Sequence, residues 1–281
     1  MADSPVFKTW TASDGYPLLV ASWLPAEKPL ARVLLIHGVQ SHQGWYQGLA
    51  RRLAESGFET HLADRRGSGG NTLDRGHTSS PRRLVDDIGE LLSELDRNSP
   101  GVPTCVGGIS WGGKLAVLAA ARFPDRVNAL ALICPGMQPR VGVSRLERLR
   151  IAVAYFTNRR KKFAIPLSDP ALFTANPAGQ AFIAGDPLSL REATAGLLAA
   201  SSLIDRSVSA APRKVKQSVL LMLASEDRIV DNAKTRAYFD RLASKDRTVI
   251  EYAGAHHTLE FEPDPGLYAR DLAVWLSRAV C

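Results

Sequence analysis

Short apolar strands alternate with amphipathic helices along most of this chain, and this order constrains the fold more than any other feature. A hairpin comes first, from residues 6–11 and 18–24. Further strands are predicted at Arg32–Ile36, Phe58–Ala63, Thr104–Val106, Val127–Cys134, Ser218–Ala224 and Thr248–Tyr252. Helices are predicted at Trp45–Ser56 and Leu84–Leu95. Such alternation predicts an α/β fold with a mostly parallel central sheet and helices on both of its faces.

The alternation is interrupted once, between residues 137 and 217. This stretch shows helical patterns and several prolines at its joints, but no convincing strand. We therefore expect a helical cap inserted at residues 137–217 into a core formed by residues 1–136 and 218–281. At 281 residues the chain is long enough to bury a large core of this kind.

The bulk composition is ordinary for a soluble globular protein, with 45% hydrophobic and 22% charged residues. Residues 1–8 lack the pattern of a signal peptide, and no apolar stretch reaches the length of a membrane span, so we expect a cytoplasmic protein. Three cysteines fit that expectation: Cys105 and Cys134 fall in predicted buried strands and Cys281 is the last residue. Their spacing indicates neither a disulfide framework nor a metal site, and no cofactor is expected.

The net charge of +7 is concentrated in residues 140–162, which hold eight basic residues and one acid, Glu147. The rest of the chain is neutral overall, so the charge does not indicate a nucleic-acid partner. Four apolar residues of this segment fall on one face of a predicted helix: Leu146, Leu149, Val153 and Phe156. That face could contact a lipid surface, or the basic groups could attract anionic substrates. We expect the commoner arrangement, an apolar face packed on the core beneath a solvated charged face.

The pentad Gly108-Ile109-Ser110-Trp111-Gly112 lies between an apolar strand and an Ala/Leu-rich helix. The bare Gly-x-Ser-x-Gly pattern is a weak signal with a real risk of chance occurrence, so this context is what gives it weight. A sharp turn from strand to helix strains its apex residue, and the two glycines lack the β-carbons that would collide across the turn. Ser110 would then be exposed beside the free N–H groups of a helix N-terminus, as a nucleophile must be.

A serine nucleophile needs a base, and the base needs an acid to orient it. In a parallel sheet such groups gather after the carboxyl ends of strands. Asp227 follows the strand at 218–224, and His257 follows the strand at 248–252. Neighbouring side chains compete for both roles, namely Glu226, Asp231 and His256.

The chain order Ser110, Asp227, His257 is characteristic of the α/β-hydrolase fold. The chain resembles α/β-hydrolases with an inserted cap, in particular the group of monoglyceride lipases, lysophospholipases and serine aminopeptidases. The resemblance covers nearly all of the chain. It rests also on His37-Gly38-Val39, which resembles the oxyanion loop of the family, on the Asp-x-Arg-Gly-x-Gly pattern at 64–69, and on the cap stretches at 166–170 and 186–188.

The resemblance favours Asp227 as the acid, because it matches the strand-x-x-Asp position, and His257 as the base, three residues after Gly254. It implies that the backbone N–H groups of Val39 and Trp111 form the oxyanion hole. The implied activity is cofactor-independent hydrolysis of carboxylic esters, preferably with medium or long acyl chains or of monoacylglycerol type. Alternatives are a proline-releasing aminopeptidase, which Trp111 after the nucleophile suggests, an acyltransferase, and a binding protein without turnover.

Other polar residues are given local roles. Asp64 and Arg66 are expected to hold the loop 67–70 by a charge-assisted hydrogen bond. Asn71 departs from the family, in which serine is frequent near this position. His37, beside the oxyanion loop, is expected to hydrogen-bond locally and is given no proton transfer. The remaining histidines are expected to be structural or on the surface: His42, His61 and His77.

Overall fold

The fold, described here from a computed structural model, covers residues 4–280; Met1–Asp3 and Cys281 lie outside the described residues. The strands are β1 (Val6–Thr11), β2 (Pro17–Trp23), β3 (Ala31–Ile36), β4 (Phe58–Ala63), β5 (Thr104–Ile109), β6 (Ala129–Ile133), β7 (Lys162–Ala164), β8 (Glu192–Thr194), β9 (Ser218–Ala224) and β10 (Arg247–Tyr252). The α-helices are α1 (Gln47–Glu55), α2 (Pro81–Asn98), α3 (Gly112–Arg122), α4 (Arg145–Thr157), α5 (Pro177–Gly185), α6 (Ala195–Ala210), α7 (Asn232–Phe239) and α8 (Pro265–Ala279).

Eight of the strands form one sheet in the order β1-β2-β4-β3-β5-β6-β9-β10. The pairs β1–β2 and β2–β4 are antiparallel, and all other neighbours in the sheet are parallel. The predicted fold class is therefore confirmed. The carboxyl ends of β5, β9 and β10 lie at the same edge of the sheet, because these three strands run in the same direction.

The central strands are buried on both faces. In β3, Val33 and Leu35 pack into the cluster that contains α1 and α8, whereas Leu34 and Ile36 pack into the cluster that contains α2 and α3. Alternate residues of a strand point to opposite faces, so a continuous apolar run is what a doubly covered strand requires.

Residues 137–217, termed the cap segment below, connect β6 to β9. The expectation of no strand in this segment is wrong: β7 and β8 form a small antiparallel sheet. Strands of three residues are too short to show an alternating pattern in the sequence. Helix α6 of the segment packs on the core through Leu197 and Ile204, which share one apolar cluster with Leu115 of α3.

Helix α4 presents its apolar face to solvent, contrary to the packed arrangement expected from the sequence. Its buried residues are Ile151 and Ala154, whereas Leu149 is 62% and Phe156 is 85% exposed. Leu146 and Val153 on the same face are also exposed. Helical periodicity identifies such a stripe but does not determine which side of the helix meets the core. Within residues 4–280, no helix combines the length and apolarity needed to cross a membrane.

Candidate active site

Ser110 occupies a sharp turn between the end of β5 and the start of α3. Its φ is +52°, in the left-handed region that L-residues rarely adopt. A β-carbon on Gly108 would lie 2.5 Å from the Gly113 Cα, and one on Gly112 would overlap the Ile36 carbonyl oxygen. Glycine is therefore needed on both sides of Ser110, as the pentad indicates.

The structure brings Ser110, Asp227 and His257 together in one hydrogen-bonded row. The Nδ1 of His257 lies 2.7 Å from Asp227 Oδ2, and its Nε2 lies 2.9 Å from Ser110 Oγ. Because the carboxylate can only accept, Nδ1 carries the ring proton and Nε2 accepts from the serine hydroxyl. This is the tautomer that a base for Ser110 requires.

Asp227 is buried, and its second oxygen accepts from the amides of Ile229 and Val230, each at 2.8 Å. Burial by itself raises the pKa of Asp227, but the charge and hydrogen bond of His257, together with these amides, outweigh it and lower the pKa. The carboxylate is therefore ionised at neutral pH.

The competing side chains lie outside this row. Glu226 is exposed. Asp231 caps α7 by accepting from the Lys234 amide at 3.0 Å. His256 faces Glu262, with 3.4 Å between its Nδ1 and a carboxylate oxygen.

The amides of Val39 and Trp111 flank Ser110. Val39, Ser110 and Trp111 line one cavity. A β-carbon on Gly38, the residue before Val39, would lie 3.2 Å from the Ser110 Cβ, so the loop runs directly past the serine. Within residues 4–280, neither amide N–H donates to another protein group. Two unpaired N–H donors beside a serine are what an oxyanion hole requires.

The loop that follows β4 is held differently from the expected Asp64–Arg66 pair. Asp64 accepts from the Gly70 amide at 2.8 Å, so it does hold the loop 67–70. Arg66, however, forms a bidentate pair with Asp87 of α2, at 2.8 and 3.0 Å, and also contacts Asp14. It thus ties α2 to the β1–β2 turn.

Asn71, singled out above as a departure from the family, closes the same loop. It accepts from the Leu19 amide at 2.9 Å and donates to the Asp64 carbonyl at 2.7 Å.

The other histidines have local partners, as expected. His42 is buried and contacts Asp186 of the cap segment at 3.0 Å. His61 is held between Ser22 and Glu59, and His77 contacts Thr194. His37 is buried beside the Gly38 carbonyl, and burial lowers its pKa well below the usual value, so it is neutral.

Ser110 opens into a cavity of about 660 Å³ between the sheet edge and the cap segment. Much of its wall is apolar, with contributions from α4, α6 and the loops around them: Val141, Val143, Ile151, Phe156, Ile165, Leu167, Leu197, Leu198 and Val230. The indole of Trp111 donates to Ser201 Oγ at 2.9 Å and so joins this wall.

Two residues of the site were missed by the sequence analysis. Lys114 is only 4% exposed, lines the cavity and pairs with Asp205 at 2.5 Å. The sequence places it merely on the helix after the nucleophile. Arg65 is buried against the loop of Gly38 and Val39. The available signal was its position two residues after the end of a buried strand.

A serine with a neutral histidine acceptor, an ionised aspartate behind it and two free amides beside it can carry out acyl transfer. The comparisons with known proteins agree with this chemistry. Residues 27–264 match the family described as "Serine aminopeptidase, S33". The chain belongs to this family.

Relatives within it include a monoacylglycerol lipase of Mycolicibacterium smegmatis, which is 27% identical over 93% of each chain. The human monoglyceride lipase is 26% identical over 89% of this chain and 82% of its own. The crystal structure of a monoacylglycerol lipase of Paleococcus ferrophilus superposes with a TM-score of 0.84 at 24% identity, covering 93% of this chain and 99% of that one. The predicted resemblance to the monoglyceride lipase group is confirmed, and the chain is a serine ester hydrolase.

Proposed function

We propose that this protein hydrolyses carboxylic esters of the monoacylglycerol class through an acyl-enzyme on Ser110. The observation that carries the proposal is the row of Ser110, His257 and Asp227 opening into an apolar cavity of about 660 Å³. Cavities of this size enclose a drug-sized or lipid-sized ligand. The printed activities of the bacterial and human relatives support the same ester class.

In this mechanism His257 takes the proton of Ser110 as Oγ attacks the acyl carbonyl, and Asp227 stabilises the imidazolium that forms. The amides of Val39 and Trp111 donate to the negatively charged oxygen of the tetrahedral intermediate. His257 then protonates the departing alcohol. In the second half it activates the water that releases the acid and restores Ser110.

The cap segment supplies much of the cavity wall, so in this proposal residues 137–217 cap a core made of residues 1–136 and 218–281. The acyl chain would lie along α4 and α6, where the wall is apolar. Each methylene buried there favours binding by about 0.8 kcal/mol. We therefore expect kcat/KM for nitrophenyl esters to rise from acetate to medium chains. A flat or falling series would contradict an acyl site in this cavity.

The nucleophile and base can be assigned with an active-site label. A fluorophosphonate should modify the wild-type protein and fail to modify Ser110→Ala, because among the described residues no other serine hydrogen-bonds to His257. His257→Ala should also lose labelling. His256→Ala is the matched control, since its side chain faces Glu262, and it should be labelled as wild type. Labelling of Ser110→Ala would exclude the assigned nucleophile.

A proline-releasing aminopeptidase is the second candidate, favoured by the description of the family itself. Such an enzyme must hold a free α-amine with unpaired carboxylates. Of the described residues, Asp205 is the one acid in the cavity wall, and it already pairs with Lys114. Asp186 is engaged by His42 and Trp45. If the protein hydrolysed a prolyl anilide but no monoacylglycerol, the aminopeptidase would replace the ester hydrolase as the favoured function.

We also propose that the apolar face of α4 docks on an anionic lipid surface. The exposed residues Leu146, Leu149 and Phe156 form the centre of this face. They lie in the segment 140–162, whose eight basic residues and single acid complement anionic headgroups. Phe156 also lines the cavity, so docking would bring the entrance of the cavity to the source of the substrate.

Vesicle flotation tests this docking. Vesicles of phosphatidylglycerol and phosphatidylcholine should carry the wild-type protein, whereas pure phosphatidylcholine should carry less. Leu146→Ser with Leu149→Ser should abolish flotation and leave hydrolysis of a soluble nitrophenyl ester unchanged, because neither residue lines the cavity. Val274→Ser on α8 is the matched control, being 73% exposed away from this face. Equal flotation of the double variant would exclude α4 as the contact.

The cytoplasmic location predicted from the sequence stays a prediction. The two free, buried thiols of Cys105 and Cys134 support it, since thiols stay reduced in that compartment.

A further inference from the structure

Arg65 is a buried arginine that contacts both segments of the proposed oxyanion hole. It is the second residue after β4 and is 6% exposed. Its Nη2 donates to the carbonyl oxygens of Gly38, at 2.7 Å, and Val39, at 2.9 Å. Its guanidinium carbon lies 4.8 Å from the centre of the Trp111 ring. One cation therefore touches the segments that carry both proposed oxyanion donors.

The burial of Arg65 lowers the stability of the folded protein. Its Nε and Nη1 are buried and have no hydrogen-bond partner within residues 4–280. In the same range it forms no direct ion pair with a carboxylate. The neighbouring carboxylate of Asp64 instead accepts hydrogen bonds from the amides of Gln43 and Gly70. Burial lowers the pKa of Arg65 to about 10, so the group still carries its charge at neutral pH. A buried cation with no directly paired carboxylate and with unpaired donors opposes stability.

The geometry of one peptide bond links Arg65 to the oxyanion. The Gly38 carbonyl and the Val39 N–H belong to the same planar trans peptide, so they point in opposite directions. A group that donates a hydrogen bond to the Gly38 carbonyl therefore also fixes the direction of the Val39 N–H, on the opposite side of the peptide. The Val39 side of this peptide faces the cavity with Ser110.

His37 holds the same carbonyl. Its Nε2 accepts from the Arg65 amide at 2.9 Å, so its Nδ1 carries the proton and donates to the Gly38 oxygen, also at 2.9 Å. The Gly38 oxygen thus receives one neutral donor and one charged donor. A donor on the carbonyl oxygen polarises the peptide and makes its N–H a stronger donor, and a charged donor does this most strongly.

We propose that Arg65 is a positioning residue of the hydrolase: through the Gly38 carbonyl it fixes and polarises the peptide whose Val39 N–H binds the oxyanion. The inference rests on the proposed ester-hydrolase function of Ser110. Arg65 does not line the substrate cavity, so its effect reaches the reaction only through the loop. It should therefore act on the transition state and leave binding of the substrate in its ground state unchanged.

The test compares Arg65→Met and Arg65→Lys with the neighbouring Arg66→Met, whose partners are Asp87 and Asp14. For a soluble nitrophenyl ester, Arg65→Met should lower kcat roughly 10- to 100-fold at nearly constant KM. Arg65→Lys should recover part of the loss, because it restores the charge. Arg66→Met should lower the thermal midpoint without this selective loss of kcat.

A trifluoromethyl ketone, which forms a tetrahedral oxyanion with the serine, gives a second readout. Its affinity should fall in parallel with kcat in Arg65→Met, while KM for the nitrophenyl ester stays within about twofold. If Arg65→Met fails to fold, Arg65→Lys is used instead, and its partial losses of kcat and of ketone affinity are measured. Unchanged kcat and ketone affinity in a folded Arg65 variant would overturn the inference while leaving the ester hydrolase intact. Absence of ester hydrolysis by the wild-type protein would overturn the proposed function as well.

Discussion

At the scale of the residue, the proposed roles of Ser110, Asp227 and His257 depend on partners that only the fold supplies. The sequence could place all three at one edge, because each follows the carboxyl end of a predicted strand and parallel strands end at one edge. The choice of Asp227 and His257 over their neighbours rested on the family resemblance. It could not identify Arg65, or the true partners of Arg66. Which carboxylate an arginine meets is decided by tertiary packing, and Asp87 lies 21 residues away on α2.

Asp227→Asn is the sharpest single-residue test of the row. Asparagine keeps the shape of the side chain but removes the charge that stabilises the imidazolium and the acceptor that sets the tautomer of His257. We expect kcat for a nitrophenyl ester to fall roughly 10³- to 10⁴-fold. Asp231→Asn keeps an oxygen that can cap α7 and removes only the charge paired with Lys234, so it should retain activity within about twofold. Similar losses in the two variants would reassign the acid.

At the scale of the element, the sequence predicts where helices and strands lie better than what covers them. The buried strands and amphipathic helices of the core were found because their periodicity extends over several turns or alternations. The three-residue strands β7 and β8 were missed, and α4 was found with its apolar face assigned to the wrong side. The spacing of apolar residues along a helix is a local property of the sequence. Which side of that helix meets the core is set by the packing of the cap segment.

Lys114 and Asp205 connect α3 to α6, and their different burial predicts an asymmetric response. Asp205→Ala leaves the ammonium of Lys114, which is 4% exposed, without its partner. Lys114→Met leaves an aspartate whose side chain is 48% exposed and can be solvated. We expect Asp205→Ala to lower the free energy of unfolding in urea by about 1–2 kcal/mol, and Lys114→Met by less than about 1 kcal/mol. The reverse order would show that the pair does not stabilise the α3–α6 contact.

At the scale of the whole molecule, the site is a consequence of topology. Strands β5, β9 and β10 are separated by long stretches of chain, yet their parallel arrangement places Ser110, Asp227 and His257 at one edge. The order of secondary-structure elements in the sequence was sufficient to predict this. The polar groups that stabilise the packed layers were not predictable in the same way, since they join elements that are distant in the chain.

Glu260, three residues after His257, is such a group. Its carboxylate accepts from the Leu49 amide of α1, at 3.2 Å, and from the hydroxyl of Tyr268 on α8. Burial raises the pKa of Glu260 from 4.5 to about 7, against the lowering effects of Tyr268, Arg52 and nearby amides. The folded protein therefore binds this proton more tightly than the unfolded chain does.

The stability that this proton contributes is fully present below about pH 4.5 and is lost as the pH rises toward 7. The raised pKa corresponds to about 3 kcal/mol. Glu260→Gln keeps two hydrogen-bonding atoms but cannot ionise. Urea unfolding at a series of pH values should therefore show little difference between wild type and Glu260→Gln near pH 4.5, and an increasing advantage of the variant up to pH 8. The difference between the two proteins isolates Glu260 from the other groups that titrate in this range, and a difference independent of pH would contradict its raised pKa.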